Sequence, residues 1–185
     1  LVHHINSLES MTGDKLTWAK SSVLSLIDSL DETHLMTLLV FDSEVEEWNY
    51  NLTFSPTGNN TFEVEATDEQ HVFPCTNYTY DAVVEYFTTI NSTYGTQANI
   101  TNAIEMAIKL DKQIISEGLI PENALSMIIL LTDGRSETGN TSETVSKDIR
   151  VLNKGAKIPI FSIGIGYAAN MEFLEDIAGV LHHNL

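Results

Sequence analysis

Apolar residues along this chain fall into two alternating patterns: short continuous runs, and longer stretches with helical spacing. Residues 1–6, 34–41, 126–133 and 158–165 are apolar runs too short for typical helices. Runs of this kind read as strands buried on both faces of a parallel sheet. Between them, Leu16, Ala19, Val23, Leu26, Ile27 and Leu30 recur at helical spacing and predict a helix over 14–30. Ile100, Ala103, Ile104, Ala107, Ile108 and Ile115 predict another over 99–116, and a polar loop after Asp133 leads into one over about 142–152. Asn170 is placed to cap a last helix running to Ala178, and the end of the chain, His182-His183-Asn184-Leu185, again looks strand-like.

The middle of the chain is less regular. Residues 45–54, with Val45, Trp48 and Leu52 among polar neighbours, fit an edge strand. Residues 55–80 then break the pattern: Pro56, Gly58, Asn59, Asn60 and Pro74 mark an inserted loop with a short strand at 61–65. Asp81 is expected to cap a short helix that turns Val84, Phe87 and Ile90 inward. Alternating strands and helices imply an α/β fold, a doubly wound, mostly parallel sheet with helices on both faces and an insertion at its edge strand. The expected organisation is a single domain over 1–185. The chain opens without Met in mid-strand and ends in another strand, which reads as truncation at both ends, so the missing leader says nothing of compartment.

Composition narrows the partners. With 26 acidic against 9 basic residues the net charge is −17, which argues against nucleic acid and anionic membrane surfaces, since both require a basic footprint. No segment approaches the roughly 18–20 consecutive apolar residues of a membrane span. Six asparagines, Asn51, Asn59, Asn77, Asn91, Asn99 and Asn140, sit in N-glycosylation acceptor sequences. With this content of Asn, Ser and Thr, chance supplies roughly two or three such matches. The excess points to a secreted or cell-surface glycoprotein. Abundant Asn and Thr alone are the competing explanation. Cys75 is the only cysteine, so it pairs outside this piece or stays a thiol.

Three catalytic readings weaken on inspection. Gly164-Ile165-Gly166-Tyr167-Ala168-Ala169 matches a dinucleotide-binding glycine pattern, but no acidic residue follows about 20 positions on, so a tight strand-to-helix turn is the better reading. Adjacent residues on a strand point to opposite faces, so neither His3-His4 nor His182-His183 chelates one zinc ion with both rings. No Gly-x-Ser-x-Gly elbow is present to support a hydrolase. What remains is a hard-cation site at the carboxyl ends of the strands, where open α/β sheets collect ligands. Asp133 closes the central apolar run, and the loop Asn6-Ser7-Leu8-Glu9-Ser10-Met11 is expected beside it.

At this point the chain resembles a von Willebrand factor A domain. The resemblance rests on Ser10-Met11-Thr12-Gly13-Asp14-Lys15-Leu16, Leu130-Leu131-Thr132-Asp133-Gly134 and Phe161-Ser162-Ile163-Gly164-Ile165-Gly166, and covers nearly the whole chain outside 55–80. Within that superfamily it is most similar to inter-alpha-trypsin inhibitor heavy chains, through Asn99-Ile100-Thr101-Asn102-Ala103, Ile120-Pro121-Glu122 and Phe173-Leu174-Glu175-Asp176-Ile177-Ala178. Channel-associated alpha-2-delta subunits are a more distant match.

The resemblance implies a metal-ion-dependent adhesion site, built from an Asp-x-Ser-x-Ser loop, a Thr ahead of the third helix and the Asp of Thr-Asp-Gly. Carried onto this chain, the metal set becomes Asn6, Ser10 and Asp133. Leu8 replaces the first Ser, and the Thr position falls on Ala98; Thr96 reaches it only if the loop shifts register. Mg²⁺ holds its waters tightly and Leu8 cannot coordinate, so a degenerate site is expected, with no Mg²⁺ or Ca²⁺ retained as cofactor. Asn99 and Asn140 flank this face, where glycans would crowd a partner.

The expected function is therefore non-catalytic: a secreted, heavy-chain-like A domain contacting extracellular proteins or matrix. By resemblance its partners include an inhibitor light chain and hyaluronan-associated assemblies, although an acidic domain does not attract anionic hyaluronan by charge. The alternatives are a metal-dependent adhesion or alpha-2-delta-type domain with a working site, and a nucleotide-dependent α/β enzyme using Gly164 and Gly166.

Overall fold

The computed structural model describes residues 2–6, 11, 13–48, 53–56, 62–65, 72–90, 98–134 and 141–178; for 2–6, 53–56 and 62–65 it describes the backbone. Strand β1 (Val2–Asn6) lies between two parallel neighbours, β2 (Leu35–Phe41) and β7 (Ile128–Thr132). Beyond β7 runs β8 (Ile160–Gly164), again parallel. The strand order is β3-β2-β1-β7-β8, with β3 (Val45–Glu47) antiparallel at the β2 edge. Chain order reverses on either side of β1, which places the ligand-collecting crevice at the carboxyl ends of β1 and β7.

The expected helices on both faces are present, and the strand residues show how. On β2, Leu39 and Phe41 join one core cluster while Met36, Leu38 and Val40 join the other. On β7, Ile128 and Leu130 face the first, and Ile129 and Leu131 the second. That alternation is the period of two expected of a strand buried on both sides. The first cluster is closed by α3 (Ile100–Ser116), α4 (Ser142–Asn153) and α5 (Met171–Ala178). The second is closed by α1 (Asp14–Asp28) and α2 (Asn77–Thr89). Lys20 of α1 clips this second pair together: its ammonium donates to the carbonyls of Phe87 and Ile90 at 2.6 Å each, at the C-terminal end of α2 where a cation is favoured.

Several boundaries differ from the sequence expectation. The edge strand expected over 45–54 divides: β3 stops at Glu47, Trp48 turns into the core, and Thr53 belongs to a separate hairpin of β4 (Thr53–Pro56) with β5 (Phe62–Glu65). Trp48 is 2% exposed, and its indole lies 4.6 Å from the ring of Phe73, so burying the largest side chain of the segment ends the alternation. Strand β6 (Phe73–Pro74) lies within the expected loop and pairs antiparallel with Leu35 and Met36.

Helix α2 also starts earlier than expected. Thr76 rather than Asp81 caps it, accepting from the Thr79 amide at 3.2 Å. The buried stripe is therefore Thr79, Ala82, Val83 and Phe87, and Val84 lies on the exposed side. In α3 the stripe ends on Ile114 rather than Ile115, and it includes Asp111, which accepts a hydrogen bond from Ser126.

Cys75 is 4% exposed, and burial pushes its thiol up to about 11. It therefore stays protonated near neutrality and is a poor nucleophile. Iodoacetamide at pH 8 should leave Cys75 unlabelled in the native chain and label it fully in urea, as intact-mass measurement would show. Rapid native labelling would contradict that burial.

Candidate functional site at the carboxyl edge of the sheet

Strands β1, β2, β7 and β8 deliver their last residues to one edge. Asn6 is level with Phe41 and follows Ile5, which pairs with Leu131; Thr132 pairs with Gly164. The polypeptide past β7 is held tightly. The Ile165 amide donates to the Thr132 carbonyl at 3.0 Å, and the Asn170 amide to the Asp133 carbonyl at 2.9 Å. The Gly134 amide donates to the Thr132 hydroxyl at 3.2 Å. Gly134 has φ +70°, and a Cβ there would sit 3.1–3.2 Å from Asn170 and Leu174, so α5 packs directly on the turn.

Asp133 is 0% exposed, and its Oδ2 accepts from the Lys15 ammonium at 3.1 Å. Lys15 lies in the first turn of α1, just after Gly13 (φ +62°), which enters the helix without a side-chain cap. Its aliphatic stem crosses Gly166, whose φ is +90°; a Cβ on Gly166 would come within 2.9 Å of Lys15 Cε and 3.4 Å of its Cδ and Cγ. Gly166 thus leaves room for the stem by which this ammonium reaches a buried carboxylate. Gly166→Ala should lower the unfolding free energy by more than about 1 kcal/mol in urea titrations, because alanine is strained at this φ and its methyl pushes the lysine stem aside.

The position where the resemblance calls for a threonine is Ala98, which is 0% exposed. The loop carrying it is anchored by the Asn99 amide donating to the Asp42 carbonyl at 2.9 Å, and by Asn99 Oδ1 accepting from the Asn102 amide at 2.9 Å as the cap of α3. At residue 98, then, a methyl group faces the interior where a hydroxyl donor would be needed. Of the expected metal set, Asp133 is at this edge and already holds an ammonium. The Asn6 backbone is at the same edge, its side chain lies outside the described residues, and Ser10, Leu8 and Thr96 lie outside them as well. Among the described residues no group of three or more His, Cys, Asp or Glu side chains is arranged to hold a metal ion. Mg²⁺ requires several well-placed oxygen ligands, and the loops expected to supply most of them lie outside the described residues.

Two of the acceptor asparagines are described. Asn77 is exposed in the first turn of α2, and the hydroxyl of its sequon partner Thr79 is buried, donating to the Pro74 carbonyl at 2.6 Å. Asn99 is half-buried beside Ala98. Capping uses its Oδ1, whereas a glycan attaches through Nδ2. Asn51, Asn59, Asn91 and Asn140 lie outside the described residues. Sequon residues also serve as helix caps here, which gives their abundance a structural contribution: Thr141, from the Asn140 sequon, caps α4 by accepting from the Thr144 amide.

The Gly164–Gly166 segment is a close-packed turn. A Cβ on Gly164 would meet Met171 Sδ at 2.7 Å, Ala169 Cβ at 3.1 Å and Leu174 Cδ1 at 3.2 Å. Internal packing and the Lys15 stem thus account for both glycines, without a phosphate. His3 and His4 are successive positions of β1, and His182 and His183 lie outside the described residues. In the sequence Lys15 stands within the Ser10–Leu16 motif with no role of its own at the metal set. The signals that could have found it are a lysine in the first turn facing Asp133 and a glycine across the crevice.

Comparison with known proteins agrees with this geometry. The family model for the von Willebrand factor type A domain matches residues 5–184. Inter-alpha-trypsin inhibitor heavy chain 4 of Mus musculus is 28% identical over 175 residues, covering 94% of this chain and 16% of that protein. Heavy chain H4 of Homo sapiens is 26% identical over 179 residues, 96% of this chain and 17% of that protein. The chain thus spans about a sixth of these relatives. Among solved structures, a von Willebrand factor type A protein from Catenulispora acidiphila superposes with TM-score 0.69 at 20% identity, covering 97% of this chain and 36% of that one. Manganese-loaded TRAP protein of Plasmodium vivax gives 0.63 at 18%, covering 96% and 61%. At such identities the likeness is one of fold, and the manganese belongs to that protein. A domains related to the heavy chains are generally non-catalytic binding domains. Sheet order, the Thr132-Asp133-Gly134 turn and the match over 5–184 together make this chain a member of the von Willebrand factor type A domain family.

Proposed function

We propose that this chain is a single, extracellular, glycosylated A domain of an inter-alpha-trypsin-inhibitor heavy-chain-like protein, and that it works through protein–protein contacts with a degenerate metal-ion-dependent adhesion site. The observation that carries the proposal is the similarity to heavy chains along 94–96% of its length. The charge of −17 supports a protein partner over hyaluronan itself, so matrix association runs through other proteins, an inhibitor light chain among them. No helix among the described residues is long and apolar enough to cross a membrane.

Asn6 in place of Asp, Leu8 and Ala98 in place of hydroxyl donors, and an already paired Asp133 support loss of the metal. Glycans on Asn99, next to Ala98, and on Asn140, seven positions after Asp133 in sequence, would limit approach to that edge. The intact Ser10 and Thr132-Asp133-Gly134 favour a second reading, a working metal-dependent site.

The test is secretion of the domain from animal cells with glycopeptide mapping, followed by surface plasmon resonance against an inhibitor light chain and against hyaluronan. The proposal expects glycans on more than two of the six sequons, light-chain binding unchanged by EDTA, and none to hyaluronan. Unmodified sequons, or binding abolished by EDTA, would contradict it.

A further inference from the structure

We infer that the Lys15 ammonium is the resident cation of this edge: it neutralises the buried Asp133 carboxylate where an A domain otherwise relies on a divalent ion, and so renders the face independent of such ions. The inference rests on the reading that the metal set is depleted.

A carboxylate with no exposed surface calls for a counter-charge or hydrogen-bond donors, because a buried charge without them is strongly disfavoured. Lys15 Nζ supplies one at 3.1 Å, with its side chain 20% exposed and Asp133's at 0%. Helix preference does not explain a lysine at this position. The first turn is the positive end of the helix macrodipole, where a cation is disfavoured. A buried anion within reach does explain it. Gly166 explains how the stem gets there, since any side chain at that residue would occupy the lysine's route. A divalent ion binding Asp133 would sit roughly 2 Å from its oxygen, and so within a few ångströms of the ammonium. Repulsion at that separation means that ion and lysine compete for the carboxylate rather than share it.

Thermal unfolding of the chain and of Lys15→Met, Asp133→Asn and the double variant, each in EDTA and in millimolar Mn²⁺, tests this. Lys15→Met should lower the midpoint by roughly 6–20 °C. The double variant should recover much of that loss, because it removes the buried charge that the ammonium balanced. The unaltered chain should melt at the same temperature in EDTA and in Mn²⁺. Losses that simply add in the double variant, with no Mn²⁺ effect on the unaltered chain, would overturn the role of Lys15 alone. A Mn²⁺ stabilisation of the unaltered chain that Asp133→Asn abolishes would overturn the depleted-site reading as well. If Lys15→Met does not fold, a folded double variant supports the inference. An unfolded double variant alongside a folded Asp133→Asn contradicts it.

Discussion

Lys15→Met should lower the unfolding free energy by about 3–5 kcal/mol, and Asp133→Asn should lower it by clearly less. The inequality follows from burial. Removing the lysine takes the ammonium away from a carboxylate that is 0% exposed, whereas removing the carboxylate leaves an ammonium that is 20% exposed on a flexible stem. Such an ammonium can rotate into water; Asp133, fixed by the backbone bonds of its turn, cannot. At an effective dielectric near 20 the attraction across such a contact is about 5 kcal/mol, of which desolvation consumes a large share. Urea unfolding followed by fluorescence measures the difference, with buried Trp48 as reporter. A lower midpoint at unchanged slope identifies a stability change rather than a more compact unfolded chain. Equal losses for the two substitutions would mean that the pair is not buried as described.

Phe173→Ala should cost about 3–5 kcal/mol, comparable to other phenylalanine truncations in close-packed cores. Phe173 is 1% exposed, in a helix of only eight residues that buries just Phe173, Leu174 and Ile177. A helix that short has little stability of its own and depends on packing. Its N-terminal end also carries the site: the Asn170 amide holds the Asp133 carbonyl, and Leu174 lies against Gly134. Hydrogen exchange should therefore show faster exchange at the Asn170 amide in Phe173→Ala, together with the lower urea midpoint. A lower midpoint with unchanged protection at Asn170 would separate α5 packing from the Asp133 turn.

The sheet and its ligand-collecting edge were legible because parallel strands buried on both faces leave continuous apolar runs, as in Ile128–Thr132. Helix α3 was legible for a similar reason, with an isoleucine and alanine stripe at helical spacing. Helix α2 was harder to read because Thr79 and Ala82 carry much of its inner stripe. A small residue and a hydroxyl that bonds to the Pro74 carbonyl give no apolar signal, and the visible Val84 drew the stripe to the wrong side. The split of 45–54 turned on Trp48 and its tertiary partner Phe73, which no local pattern reports.

At the site, Asp133 and Ala98 could be placed from the Thr-Asp-Gly turn and the residues that open α3. Lys15 could not. In the sequence it is one more charged residue at the start of a helix, and its partner lies 118 positions away. Its meaning depends on Gly166 and Asp133, both more than a hundred positions away, meeting it in space.

The most direct measurement is a crystal structure of the chain grown in millimolar Mn²⁺, with anomalous scattering collected to locate the ion. The account predicts Lys15 Nζ within hydrogen-bond distance of Asp133 Oδ2 and no anomalous peak at that carboxylate. A manganese peak coordinated by Asp133, with Lys15 turned to solvent, would contradict it.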